Sequence, residues 1–164
     1  MKIAILGLGC VGSGVYEQLQ GRDGLTVARI LHRHPLSGAA EEMRTEDFGE
    51  ILADPEIEAV VEVLGGVEPA RSFVKAALRA GKHVITANKL MLSSDLPGIL
   101  AAAREGGAQL RCSASVGGGI PFLPNLLRAR RADRLVEVGG IVNGTTNLIL
   151  DVMQREGAEF DKVL

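Results

Sequence analysis

Lys2-Ile3-Ala4-Ile5-Leu6-Gly7-Leu8-Gly9-Cys10-Val11-Gly12 opens the chain and decides its fold. An apolar run of strand length passes without a break into a GxGxxG turn, and Val15, Tyr16 and Leu19 then supply a short helix face. In a strand–turn–helix unit the three glycines act differently. Gly7 permits the tight turn, Gly9 lets the backbone approach a pyrophosphate, and Gly12 lets helix and strand pack closely. The free N–H groups and positive dipole end of the helix, at Cys10 and Val11, favour an anionic phosphate. The motif thus predicts dinucleotide binding through Gly7, Gly9, Cys10, Val11 and Gly12. A glycine-rich turn that binds nothing is the competing reading.

Working outward, the pattern repeats. A second strand is expected over Leu25 to Leu31, a polar stretch over Ser37 to Asp54, and a third strand over Ala59 to Leu64, ending in Gly65-Gly66. Glu68-Pro69 then starts a helix that buries Phe73, Val74, Ala77 and Leu78 and stops at Gly81. His83 to Ala87 reads as a strand, Leu96 to Glu105 as a helix, and Gln109 to Ser113 as a fifth strand. Such alternation predicts an α/β fold, a Rossmann-type doubly wound parallel sheet covered on both faces. Past Ser113 the rhythm changes: a glycine-rich turn leads to a helix from Phe122, then to an Arg-rich connector over Arg128 to Arg134. That connector is the expected boundary, with the dinucleotide-binding domain at 1–134 and the first strand (Leu135 to Val142) and helix of a second, α+β domain at 135–164.

Composition narrows the ligand. The 164 residues are 46% hydrophobic, enough for one sizeable core, and 18 Lys plus Arg against 20 Asp plus Glu leave no broad basic surface for nucleic acid. No apolar run reaches membrane length and the N-terminus lacks a signal-peptide layout, so the expected compartment is cytoplasmic and the expected partner a small molecule. The two cysteines, Cys10 and Cys112, form neither a disulfide framework nor a metal-ligand spacing and are expected to be small buried fillers.

Cofactor choice is read at the end of the second strand. Sites that prefer NAD place an acidic residue about twenty residues after the glycines, against the ribose 2′-hydroxyl. Here His32-Arg33-His34 stands there instead, and Arg33 suits a 2′-phosphate through charge-assisted bonds. NADP is therefore expected over NAD; a solvated basic turn is the bland alternative. Three further loops leave strands at the same edge: Gly65-Gly66, Thr86 to Lys89, and Ser113 to Ile120. Among their ionisable side chains Lys89 alone is placed to meet a cofactor or a substrate carbonyl, where an ammonium stabilises developing alkoxide charge. A surface lysine at a helix start is the alternative, and His83 reads as structural.

Four stretches, Gly7 to Gly12, Val60-Val61-Glu62-Val63-Leu64-Gly65-Gly66, Val84-Ile85-Thr86-Ala87-Asn88-Lys89, and Gly139 to Asn147, resemble the homoserine dehydrogenase family across nearly the whole chain. The resemblance implies NADP- or NAD-dependent interconversion of L-homoserine and L-aspartate 4-semialdehyde, on the route to threonine, methionine and isoleucine. It implies that Gly65 and Gly66 line the nicotinamide, that Lys89 lies between cofactor and substrate, and that Asn143, Gly144, Thr145 and Thr146 open the substrate domain. It also implies sodium ligands at the carbonyls of Val116, Gly118 and Ile120, but the family's glutamate position matches Ser113, whose neutral hydroxyl is a poorer ligand for a hard cation. The family's acidic substrate ligands and proton-donating lysine match positions beyond Leu164, and its dimer forms through that same later domain. The 164-residue chain is thus expected to bind cofactor and to catalyse poorly or not at all, with a homodimer for the full-length protein. A non-enzymatic dinucleotide-binding sensor is the reading from another class.

Overall fold

The computed structural model describes residues 1–164, which divide into two compact units, Met1–Gly118 and Gly119–Leu164. In the first, six strands form one parallel sheet: β1 (Lys2–Leu6), β2 (Thr26–Leu31), β3 (Arg44–Thr45), β4 (Ile57–Glu62), β5 (His83–Thr86) and β6 (Leu110–Arg111). Their order is β3-β2-β1-β4-β5-β6, so the chain reverses direction of growth between β1 and β4. Helices α1 (Cys10–Leu19), α2 (Ala39–Glu42), α3 (Phe48–Ala53), α4 (Ala70–Arg79) and α5 (Lys89–Glu105) complete the unit. This is the doubly wound α/β fold, with its ligand crevice at the carboxyl ends of β1 and β4.

Burial on both faces of the sheet explains the unbroken apolar strands. In β1, Ala4 and Leu6 join a core with Val60, Val74, Leu78, Val84, Met91 and Ile99. Ile3 and Ile5 point into the opposite core with Val27, Ile30, Ala59 and Val61. A two-residue periodicity in which both faces are covered reads as continuous hydrophobicity. Phe48 stacks on Phe73 with ring centroids 4.2 Å apart, joining α3 to α4. At the opposite end of β4 the buried Lys82 ammonium donates to the carbonyls of Asp54 (2.6 Å) and Ile57 (2.9 Å), and burial pushes its pKa below the ordinary value.

Four local expectations are corrected. The polar stretch between Ser37 and Asp54 contains β3, whose two residues are too few to show periodicity; Met43 and Thr45 carbonyls accept from Ile30 and His32 amides. The helix expected from Leu96 begins at Lys89: Asp95 is non-helical inside it (φ −159°, ψ 47°) and its carboxylate accepts from the Gly98 amide, so a cap lies at a kink inside a longer helix. The fifth expected strand shrinks to Leu110–Arg111 and a 3-10 turn over Ser113–Ser115. Cys10 is exposed at the start of α1 rather than buried, while Cys112 is half-buried, which pushes its thiol pKa up.

The second unit consists of α6 (Phe122–Ala132), α7 (Gly144–Glu156) and α8 (Phe160–Val163). Leu135 to Val142, expected as a strand, is irregular and exposed. No other strand exists in this unit to pair with it, and an unpaired strand leaves its ladder groups unsatisfied. Asn143 caps α7, its side-chain oxygen accepting from the Thr146 amide at 3.0 Å, and Gly157 ends that helix with φ +62°. The two units divide between Gly118 and Gly119, ahead of the expected boundary at 134/135, and the expected Arg-rich connector is helical as far as Ala132, within α6. No helix of the protein is long and apolar enough to cross a membrane.

Candidate dinucleotide site

The glycine turn lies at the crevice and is built for close approach. Gly7 takes φ +95°, a conformation that L side chains rarely adopt, and its amide donates to the Leu31 carbonyl at 3.0 Å, tying the turn to the end of β2. Gly9 is the N-cap of α1 and supplies no side-chain cap, so the first amides of that helix, from Cys10 onward, lack a side-chain partner. A Cβ built on Gly9 meets nothing within 4 Å. Open space, uncapped amides and the positive end of a ten-residue helix coincide there, which fits a pyrophosphate.

A cleft of about 530 Å³ runs from this turn. Its lining includes Gly7 and Gly9, the segment Leu31 to His34, the loop Val63 to Gly65, and Phe73 from α4. Arg33 is exposed in it, and His32 and His34 flank it, with the His32 Nδ1 3.0 Å from the His34 carbonyl. Glu46 also lines the cleft, delivered by the turn after β3; it pairs with Arg44 at 2.8 Å, and Arg44 in turn pairs with Glu41 at 2.9 Å. The order of residues along the chain gave no hint of Glu46. It lies far from the usual acidic position after β2 and reaches the cleft only because β3 adds to the sheet edge.

The loop ends of β4 and β5 meet on the other side of the crevice. Gly65 and Gly66 both have positive φ (77° and 68°) and are exposed. Asn88 donates from Nδ2 to the Gly66 carbonyl at 2.8 Å and caps α5 by accepting from the Met91 amide at 3.1 Å. The structure therefore brings Gly65, Gly66 and Lys89 to one edge, with Lys89 exposed as the first residue of α5. Behind them Glu62 is fully buried and accepts from Leu64, Thr86 and Asn88. The sequence did hold a signal for it, since a carboxylate interrupts an otherwise apolar strand. His83 lies at the far end of β5 and accepts from the Gln109 amide at 3.1 Å, a structural contact.

This assembly matches known proteins. The model of the homoserine dehydrogenase NAD-binding domain matches residues 7–113, and a second homoserine dehydrogenase model matches residues 121–164. The chain belongs to the homoserine dehydrogenase family. It is 42% identical to the homoserine dehydrogenase of Synechocystis over its whole length and 36% identical to that of Bacillus subtilis, covering 40% and 41% of those proteins. The crystal structure of a homoserine dehydrogenase from Thiobacillus denitrificans is similar with a TM-score of 0.80 and 38% identity, covering all of this chain and 41% of that one. The chain thus spans about 40% of the length of these homoserine dehydrogenases. The family assignment gives a nicotinamide dinucleotide as the cofactor class.

The remaining residues implied by the family resemblance fall on both units. Asn143 to Thr146 form the cap and first turn of α7 in the second unit. Ile120 belongs to that unit too, its carbonyl accepting from the Phe122 amide at 2.7 Å. Val116 and Gly118 close the first unit, and the Ser113 carbonyl accepts from the Val116 amide at 3.1 Å. No group of three or more His, Cys, Asp or Glu gathers anywhere in the protein.

Proposed function

We propose that this chain is the dinucleotide-binding part of a homoserine dehydrogenase, with NADP as its preferred cofactor. The longer protein would transfer a hydride between L-homoserine and L-aspartate 4-semialdehyde, acting in the cytoplasm as a homodimer in threonine, methionine and isoleucine synthesis; family membership supports this. The observation that carries the cofactor preference is the pairing of charges at the β2 end of the cleft. The two acids that line the cleft are engaged elsewhere, Glu46 by Arg44 and Glu68 by Arg71, whereas Arg33 lines the cleft without an acidic partner. A guanidinium in that position suits a 2′-phosphate.

In this reading Gly9 and the first amides of α1 hold the pyrophosphate, and Gly65 and Gly66 border the nicotinamide. Bound NADP supplies the hydride acceptor or donor. Lys89 presents its ammonium to the carbonyl oxygen of the semialdehyde, and Asn143 to Thr146 contribute to the substrate side. Calorimetry with NADPH and NADH on the 164-residue chain tests the cofactor assignment: tighter binding of NADPH is expected, and equal affinities would overturn it. Homoserine-dependent NADPH formation by the longer protein tests the reaction.

A further inference from the structure

Glu62 is a fully buried carboxylate at the carboxyl end of β4, and both of its oxygens are occupied. Oε1 accepts from the Leu64 amide at 2.9 Å and from Asn88 Nδ2 at 3.2 Å, and Oε2 accepts from the Thr86 hydroxyl at 2.6 Å. All three donors are neutral. Removing a carboxylate from water is costly, and where only stability is at stake an apolar side chain serves as well or better. What a fully satisfied buried network contributes is a fixed arrangement of the segments that donate to it.

Those segments all belong to the crevice edge. Leu64 leads directly into Gly65-Gly66, two exposed glycines that lack side chains of their own to anchor them. Thr86 ends β5, its hydroxyl also accepting from the Asn88 amide at 2.9 Å, while its carbonyl accepts from the Ser115 hydroxyl at 3.1 Å. Asn88 starts α5 and reaches across to the Gly66 carbonyl. One carboxylate therefore sets the β4 loop, the first turn of the helix bearing Lys89 and, through Thr86, the turn at Ser113–Ser115. Of its partners only Leu64 lines the cleft that holds Arg33 and Glu46, and it does so from the β4 side; Thr86 and Asn88 stand outside that lining.

We propose that Glu62 is a positioning residue for the nicotinamide half of the cofactor, holding the Gly65-Gly66 loop and the Lys89 turn in register without touching the ligand. The proposal rests on the dinucleotide reading above. A dinucleotide crossing the crevice puts its adenosine ribose near the end of β2 and its pyrophosphate on the glycine turn, which leaves the other half over β4 and β5. Loss of Glu62 should therefore weaken that half alone.

Calorimetry on the full 164-residue chain separates the halves: NADPH contains both, and 2′,5′-ADP only the adenosine side. Glu62→Gln keeps the shape but turns an acceptor into a donor, and Thr86→Val removes the hydroxyl that Oε2 needs while keeping a β-branched strand residue. Each variant should weaken NADPH by about tenfold, the worth of a lost hydrogen bond to a charged group, and leave 2′,5′-ADP within about twofold. The rise in nicotinamide fluorescence on binding should shrink in parallel. Unchanged NADPH affinity in a folded variant, or equal losses for both ligands, would overturn the proposal. If Glu62→Gln does not fold, Thr86→Val decides the matter by the same measurements. Failure of the unsubstituted chain to bind either ligand would remove the dinucleotide reading itself, a result distinct from binding that the variants leave unchanged.

Discussion

A Cβ placed on Gly12 would overlap the carbonyl oxygen of Gly7, so the third glycine of the turn is fixed by contact with the first. Backbone cannot yield as the end of a flexible side chain can. Gly12→Ala should therefore displace α1 from the end of β1 and destabilise the fold by about 1–3 kcal/mol, the range for overpacked interiors. Denaturant titration of the variant checks this; a midpoint equal to that of the parent chain would contradict it.

Gly9 is the opposite case, because a Cβ there meets nothing within 4 Å. Its φ of −78° is also open to other residues. Gly9→Val should keep the melting temperature nearly unchanged, yet place a branched side chain where the pyrophosphate approaches the backbone. Dinucleotide affinity should fall by about a hundredfold, comparable to losing two charge-assisted hydrogen bonds. Calorimetry and a thermal melt on the same sample measure both effects, and retained affinity would move the ligand elsewhere.

These two glycines look alike in the sequence, and that likeness marks how far it could be read. β1 and β4 are buried on both faces and appear as apolar runs, and β2 and β5 keep enough apolar residues to be legible, although β5 exposes His83 and Ile85. Short β3 was not, because Arg44-Thr45 carries no periodicity and exists through ladder bonds to a strand already in place. Leu135 to Val142 shows the reverse, a strand-like composition without a partner strand in its own unit. At the site, Gly65, Gly66, Lys89 and Arg33 were visible as loop residues following strands. Glu62 was visible only as an anomaly, since its side-chain partners lie 24 and 26 residues away and meet it only once β4 and β5 pair.

Arg33→Ala should remove most of the difference in affinity between NADPH and NADH. The guanidinium is exposed in the cleft and carries no fold contact that its loss would break. NADPH should weaken by about tenfold or more, as for a charged hydrogen-bonded contact, with NADH nearly unaffected. Parallel loss of both cofactors would show that Arg33 does not address the 2′-phosphate.

Asp95 joins the kink in α5 to α4 through Lys75 at 2.9 Å, and this bond holds its carboxyl below the ordinary value of 3.8. A depressed folded-state pKa means that the unfolded chain binds the proton first, so the contribution is present above pH 3.8 and fades as pH falls through the lower folded-state value. Asp95→Asn preserves a capping side chain for the Gly98 amide while deleting the charge. Its melting temperature should lie below that of the parent at neutral pH, and the two should converge below pH 3.8. A gap that persists unchanged at low pH would assign the loss to the cap rather than to the ion pair.

Lys89 presents the most direct test of chemistry, because it is exposed at the start of α5 on the edge shared with Gly65 and Gly66. The 164-residue chain spans about 40% of its homoserine dehydrogenase relatives, so the expected behaviour of the chain alone is cofactor binding without measurable homoserine oxidation. In the longer protein, Lys89→Ala should lower turnover by on the order of a hundredfold if the ammonium stabilises charge developing on the substrate oxygen. Cofactor affinity should change much less, because Asn88, not Lys89, ties α5 to the Gly66 carbonyl. Homoserine-dependent NADPH formation, measured for the chain and for the longer protein with and without Lys89, separates these effects. Turnover by the longer variant equal to that of its parent would return Lys89 to an ordinary surface lysine at a helix start.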